Sequence, residues 1–306
     1  MSGIKVKDIH HARFQSPDLD VAQQFLEEFG LVVAERTSDR LYMRGTDPAP
    51  YVHVTELGEA KFLGIAFEAE SAADLATIAT ADGASIEDID APGGGQRVRL
   101  NDPDGFRIDV VHGVADAKAL EIVPAEPLNT GSLRVREGDV KRVPGGSSQV
   151  KRLGHSVLRV THFADSWKWY ADRFGFLPSD DVVAGPDETV LGRFMRCDRG
   201  EDYTDHHTML LLGTGQPEFD HVAFEVEGLD DLMSGHDILR DAKRSHVAGI
   251  GRHILGSQIY DYWSDPWGRT HEHYTDGDRI DVHHPHGKAG PEVALGTQWG
   301  TFGPPA

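Results

Sequence analysis

The stretch "SDPWGRTHEHY", residues 264–274, sets Glu272 between two histidines directly after an Asp-Pro-x-Gly turn. A carboxylate among imidazoles is a metal-binding combination, because both groups coordinate first-row divalent ions once deprotonated. A paler copy, "NDPDGFRIDVV" (101–111), keeps the turn and a carboxylate, Asp109, without histidines beside it. Two further histidines open strand-like runs: His155 in "HSVLRV" and His221 in "HVAFEV". Two imidazoles and one carboxylate on one face form the facial triad of non-haem Fe(II) enzymes, which leaves coordination positions open for substrate and O2. These residues lie far apart in the chain, so the chemistry requires a fold that gathers them.

The elements that would do so are repeated. "FLGIAFEAESAADL" (62–75) and "FDHVAFEVEGLDDL" (219–232) share Phe, Ala-Phe-Glu, a second Glu and an Asp at matching places. "HHARFQSPDLDVAQQFLEEFGL" (10–31) and "HSVLRVTHFADSWKWYADRFGF" (155–176) both read strand, polar break, helix, Phe-Gly. Internal repeats of this kind decide the fold before any local detail does. Each half divides again. Alternating apolar residues from Ile9 to Phe14 predict a strand. "DLDVAQQFLEEFG" has helical spacing with an Asp N-cap and Gly30 as its stop, and "LVVAE", "RLYMR" and "YVHVT" read as short strands. Residues 62–112 repeat that order, with helix "SAADLATIATADG".

The expected fold is therefore α+β: four βαβββ modules paired into two similar domains, each a cup-shaped mixed sheet with helices outside. The expected boundaries are 1–113 for a metal-free N-terminal domain, 114–149 for a Pro/Gly/Ser-rich connector, 150–286 for the catalytic domain and 287–306 for an extended tail. The first-half counterparts of the triad are His10 (or His11), Gly64 and Asp109. Glycine has no side chain to ligate a metal, so one copy of the turn feeds a metal and the other is scaffold.

Composition bounds the rest. The chain has 306 residues, 39% of them hydrophobic, and a formal net charge of −20. A core of ordinary size is expected, and nucleic acid or an anionic membrane is excluded as main partner, since both need a basic footprint. Cys197 is the single cysteine, so no intrachain disulfide forms. No apolar run reaches the ~18 residues of a membrane span, and "MSGIKVKDIH" lacks a signal-peptide core. A cytoplasmic protein is expected.

With these residues assembled, the chain resembles the type I extradiol ring-cleavage dioxygenases of the vicinal oxygen chelate superfamily over nearly its whole length. The most specific match is Gly251-Arg252-His253, then Asp261, Tyr262, Asp265-Pro266-Trp267-Gly268 and Glu272. It departs from the family pattern at Asp261, where an aliphatic residue or Phe is usual. "HHTMLLL" (206–212) and "DHVAFEV" (220–226) match two further segments. The resemblance implies His155, His221 and Glu272 as metal ligands. It also implies His207 as acid/base, His253 as a hydrogen-bond partner of the substrate hydroxyl, and Tyr262 near the bound catecholate. Fe(II) is the implied cofactor, with Mn(II) able to replace it. A catechol-type aromatic and O2 are the implied substrates, and a homo-oligomer is expected. An imidazole titrating near neutrality suits proton transfer during the ring opening.

The alternatives are a different metal enzyme on the same scaffold, such as a 2-oxo-acid-dependent dioxygenase or an isomerase, and a non-catalytic small-molecule binding protein. Relatives that take acetate-bearing catechols place an arginine where this chain has Ala248, which favours a neutral substituted catechol unless Arg244 or Arg252 reaches the same space. His206 reads as a surface residue, and His271 and His273 as facing away from Glu272 because strand side chains alternate. The "HHPH" run (283–286) reads as a solvated segment, Cys197 as inert, and Trp167, Trp169 and Trp263 as core.

Overall fold

The structure, a computed structural model, describes residues 3–300. The first half opens with β1 (Val6–Ser16), α1 (Leu19–Glu28), β2 (Val32–Arg36), β3 (Arg40–Arg44) and β4 (His53–Leu57). A second unit follows: β5 (Lys61–Ala69), α2 (Ala72–Asp82), β6 (Ile86–Asp88), β7 (Gln96–Asn101) and β8 (Arg107–His112). The second half begins at β9 (Val150–Val160), α3 (Phe163–Phe174), β10 (Leu177–Ala184), β11 (Thr189–Arg196), β12 (Thr204–Asp205) and β13 (Met209–Gly213). Its last unit comprises β14 (Glu218–Val226), α4 (Leu229–Asp241), β15 (Ser245–His253), β16 (Ile259–Ser264) and β17 (Thr270–Thr275). The βαβββ order therefore occurs four times, with β12 as an added short strand.

Local chemistry explains the elements. Asp18 caps α1 by accepting from the amides of Asp20 (2.8 Å) and Val21 (3.1 Å), and Leu19, Ala22, Phe25 and Leu26 form its buried face. Ser71 caps α2 in the same way, and Gly83 closes it in the left-handed conformation. The two Asp-Pro-x-Gly turns are built alike. Asp102 accepts from the amides of Asp104 and Phe106, and Asp265 from those of Trp267 and Arg269. Gly105 and Gly268 take φ of 90° and 84°, where a side chain would be strained.

The strands form an eight-stranded sheet, β2-β3-β4-β1-β5-β8-β7-β6, and a ten-stranded one that contains β10-β11-β13-β9-β14-β17-β16-β15 in the same order. Within each unit the first strand pairs parallel with the last, and the two units meet through antiparallel β1–β5 or β9–β14. The helices of both halves share one apolar core. Phe62 stacks on Phe219 at 4.3 Å, and Phe29 on His273 at 3.7 Å. Each fully buried Phe contributes about 1.5–3 kcal/mol, so neither half would keep its outer face solvated at small cost.

Two segments between and after the halves differ in character. Residues 114–149 carry neither helix nor strand and are pinned by a few bonds such as Leu120 N to Thr46 O (2.8 Å). The stretch from 287, expected as an extended tail, is structured. β18 (Arg279–Ile280) pairs with β12, and β19 (Gly287–Ala289), α5 (Pro291–Ala294) and β20 (Thr297–Gly300) follow. β19 and β20 extend the two edges of the ten-stranded sheet, against β10 and β15. Their backbone groups satisfy edge strands that would otherwise be open, a tertiary demand that the Gly/Pro content of the stretch hides. Residues 301–306 of that tail lie outside the described residues. No helix among the described residues is long and apolar enough to cross a membrane.

Candidate active site

Strand register gathers the candidate residues. His155 on β9 is paired with Ala223 on β14, Ala223 with Glu272 on β17, Glu272 with Tyr262 on β16, and Tyr262 with Ala248 on β15. One row across five strands therefore presents all of these to the inside of the cup, since directly paired residues share a face. Ala223, between two long side chains, leaves room for them to converge, and His221 joins from the same strand. His155 Nε2 and His221 Nε2 each stand 3.2 Å from Glu272 Oε2. All three side chains are buried, Glu272 completely.

A metal ion fits this arrangement. His221 Nε2 and Glu272 Oε2 are buried without a hydrogen-bond partner among the described residues. Buried polar atoms are rarely left so unless an ion or water satisfies them. Burial opposes ionisation of Glu272, but His155 and His221 beside it hold its carboxyl well below the usual carboxylate range. The donor set thus presents an anionic oxygen and two imidazole nitrogens. Asp220 orients the ring: His221 Nδ1 donates to Asp220 Oδ1 at 2.7 Å, which turns Nε2 toward Glu272. Against burial, the carboxylates of Asp220 and Glu272 raise His221 to about 9, so a metal at Nε2 would displace a proton there. Arg159 holds Asp220 in turn (2.8 Å). Sequence reasoning missed Asp220. A regular strand would turn it away from His221, but a register irregularity between Phe219 and His221 breaks the alternation. The adjacent Asp-His pair was the only signal.

In the first half the same row runs His11, Ala66, Asp109 and Arg99. Register therefore makes His11, not His10, the counterpart of His155. Asp109 is clamped by Arg107 at 2.9 and 2.7 Å, and a Cβ on Gly64 would meet Arg107 O at 1.8 Å. Backbone occupies the space that a ligand from this position would need.

His207 lies beside the triad, its ring 4.2 Å from that of His155. Burial, then the neighbouring imidazoles led by His155, push its pKa well below the ordinary value, so its ring is held neutral. His206 is also buried, contrary to its expected place at the surface, because it is tied on both sides. Its Nε2 lies 2.7 Å from Asp180 Oδ2 and its Nδ1 3.1 Å from His207 Nδ1. An ionised Asp180 only accepts, so His206 Nε2 donates to it, His206 Nδ1 accepts from His207 Nδ1, and His207 Nε2 keeps its lone pair. Replacing Asp180 by Asn should let the chain of tautomers reverse. A fall in kcat of roughly 10–100-fold is expected, a fraction of the ~10²–10⁴ worth of the base it orients. Metal content and the KM for catechol should not move; steady-state kinetics with metal analysis checks this.

His253 and Tyr262 form a pair, Nε2 to Oη 2.9 Å, facing the triad from β15 and β16, with His253 Nε2 3.8 Å from Glu272 Oε1. Burial lowers His253 to about 4, against the opposing pull of Glu272, so it too is neutral. These residues line the base of a cavity of about 730 Å³, whose walls include Val157, Phe194, Leu210, Leu212, Val247 and Ala248. Phe62 from the first half also lines it.

The other assignments hold. His271 turns from the cup to His53 (Nε2 to Nε2, 3.3 Å), and His273 to the carbonyl of Phe29 (2.6 Å). His283 to His286 are exposed, Cys197 and Trp263 are buried, and Trp167 and Trp169 pack partly buried against the core. Arg252 binds Asp276 and Arg244 binds Glu28, and neither lines the cavity. Asp261, the departure from the family pattern, is wholly buried.

Residues 152–272 match the Glyoxalase/Bleomycin resistance protein/Dioxygenase superfamily. Metapyrocatechase 2 of Cupriavidus necator is 30% identical over 304 residues, covering 94% of this chain and 85% of that protein. Biphenyl-2,3-diol 1,2-dioxygenase of Sphingomonas paucimobilis is 23% identical over 78% of this chain and 76% of that one. In fold, the Mn(II)-bound glyoxalase of Novosphingobium aromaticivorans superposes with a TM-score of 0.78 at 24% identity, covering 98% and 93% of the two chains. Homoprotocatechuate 2,3-dioxygenase of Arthrobacter globiformis gives 0.75 at 20%, covering 95% and 86%. With a relative at 30% identity along almost its whole length, the chain belongs to the extradiol catechol dioxygenases of the vicinal oxygen chelate superfamily.

Proposed function

We propose that His155, His221 and Glu272 hold one Fe(II), with Mn(II) the alternative, and that the enzyme opens a neutral, apolar-substituted catechol beside its diol in the catabolism of aromatic compounds. The observation that carries this reading is the pair of buried atoms, His221 Nε2 and Glu272 Oε2, without hydrogen-bond partners among the described residues and facing each other at 3.2 Å at the base of an apolar cup. When bound, the metal supplies a Lewis-acidic, redox-active centre that brings a diol and O2 together. The protein's own groups do the rest. His207 Nε2, neutral and buried, accepts a proton from the substrate and returns it. The His253–Tyr262 pair offers hydrogen bonds to a diol oxygen. Apolar walls keep water from the reacting ring. A reducing, cytoplasmic setting suits the single buried thiol, Cys197, and we extend the family's homo-oligomeric habit to this chain.

The preference for a neutral substituent rests on the cationic groups around the cavity. Of the lysines and arginines that line it, Lys61 is solvent-exposed, Arg159 is engaged with Asp220 and Glu218, and Arg269 with Asp265 and the carbonyls of Gln15 and Lys61. A carboxylate on the substrate would enter an apolar wall at Ala248, and an unpaired ion there costs several kcal/mol. Alkyl- or aryl-substituted catechols should exceed 3,4-dihydroxyphenylacetate in kcat/KM by at least roughly tenfold, equivalent to ~1.4 kcal/mol. Ala248→Arg should narrow that gap. A catechol panel with the iron-loaded enzyme, following the yellow ring-opened product, tests both the activity and the preference. Absence of product from every catechol would defeat the first, and preference for the carboxylated one the second.

A further inference from the structure

A second constellation lies on the other side of the same sheet. Tyr262 faces the cup, so Asp261, its neighbour on β16, faces outward beneath α4. Asp261 is wholly buried, yet three groups converge on it. His236 from α4 places Nδ1 at 3.0 Å from Oδ2, His246 from β15 places Nε2 at 2.8 Å from Oδ1, and Trp263 Nε1 donates to Oδ2 at 2.6 Å. Donor atoms of the two histidines and the aspartate all lie within 4.8 Å of one another. The backbone makes room for the carboxylate. Gly249 stands directly across from Asp261 with φ of 123°, and a Cβ there would meet Oδ1 at 2.9 Å.

We propose that His236, His246 and Asp261 form a second metal site, separate from the catalytic cup, that takes a borderline divalent cation with zinc as the best match. Two imidazole nitrogens and one carboxylate oxygen are a zinc donor set, with a fourth tetrahedral position left for water. A tetrahedral zinc with bonds of ~2.0–2.2 Å separates its donors by ~3.3–3.6 Å. The two histidine–carboxylate contacts, 3.0 and 2.8 Å to different oxygens, would open by a few tenths of an ångström, and the remaining spacings lie within 4.8 Å. The side chains of His236 and His246 are 20% and 14% exposed, which gives the ion a path from solvent and a place for the water. Trp263 fixes the carboxylate from behind, the role that an outer hydrogen bond plays at metal centres. On binding, each histidine gives up the proton it now directs at Asp261, or presents the other tautomer, and zinc takes the place of those hydrogen bonds. No oxidation or group transfer is involved. The ion would join α4 to the β15–β16 hairpin, which carries Ala248, His253 and Tyr262 to the cup. The site is therefore structural, and its occupancy does not depend on which reaction the cup performs.

Zinc titration of the chelator-treated full-length protein against a chromophoric competitor tests this directly. The double variant His155→Ala/His221→Ala removes the catalytic donors and should still bind one equivalent of zinc. Adding His236→Asn should abolish it or weaken it by at least about tenfold. His236 sits partly exposed on a helix, so this variant should fold, and circular dichroism verifies that it does. Asp261→Asn, in the same double-variant background, should weaken zinc similarly while keeping the hydrogen bond from Trp263. Zinc should raise the thermal midpoint of the double variant and not that of the triple. A double variant that binds no zinc at micromolar concentration, or a folded triple variant that still binds one equivalent with unchanged affinity, overturns the proposal.

Discussion

Glu272→Gln is expected to strip the catalytic cup of its Fe(II) or Mn(II) and, with it, the enzyme of activity. The substitution keeps shape and volume but turns the only anionic donor of the proposed set neutral, and a hard cation loses its charge partner in a fully buried position. Loss of an outer hydrogen-bond partner alone costs 10–100-fold in metal affinity at such centres, so loss of a ligand's charge should exceed roughly 100-fold. Metal analysis after gel filtration, together with catechol turnover, reads both consequences. The first half supplies the controls. His10→Ala, His11→Ala and Asp109→Asn should retain a full equivalent of metal. Asp109→Asn will nonetheless be less stable, by up to about 3–5 kcal/mol, because it leaves the Arg107 guanidinium without its buried carboxylate. Metal loss in these first-half variants would overturn the reading of one catalytic centre in the second half.

His207→Phe separates proton transfer from binding. Phenylalanine fills the same space against Phe194 and His155, so the cup keeps its shape and its metal. Turnover should fall on the order of 10²–10⁴-fold, the usual worth of a positioned acid/base, while catechol binding measured without O2 is retained. His206→Phe should fall between this variant and the wild type, since it breaks the Asp180–His206–His207 chain without removing the base. An unchanged rate in His207→Phe would transfer the role to His206 or to water.

These expectations differ in how far the sequence alone could carry them. Alternation in β1 and β9, helical spacing in α1 and α2, and the doubled Asp-Pro-x-Gly turn follow from local chemistry: strand parity, capping side chains and a glycine at positive φ. The strand–helix–strand order recurs four times and the turn twice, so each unit corroborates the others. The convergence of His155, His221 and Glu272 was legible for the same reason, because a duplicated unit places equivalent strands on equivalent positions of a sheet. The outward direction of His271 and His273 followed from parity alone.

What the sequence did not determine lies where parity breaks or where a partner is distant. Register irregularities around Ile9, His11 and Phe219 decide that His11 matches His155 and that Asp220 reaches His221; a one-residue slip inverts a strand's faces, and no local propensity marks where it occurs. His206 is buried because Asp180, on a different strand, draws it in. The last stretch is strand rather than loose tail because two sheet edges need partners. Asp261, a mere mismatch in the sequence, becomes the centre of a histidine cluster only once α4 is laid across β15 and β16. Periodicity and turn chemistry act between neighbours in the chain and are written there. Register, edge closure and the meeting of distant polar groups depend on the assembled sheet, where the requirement to satisfy every buried polar atom selects the partners.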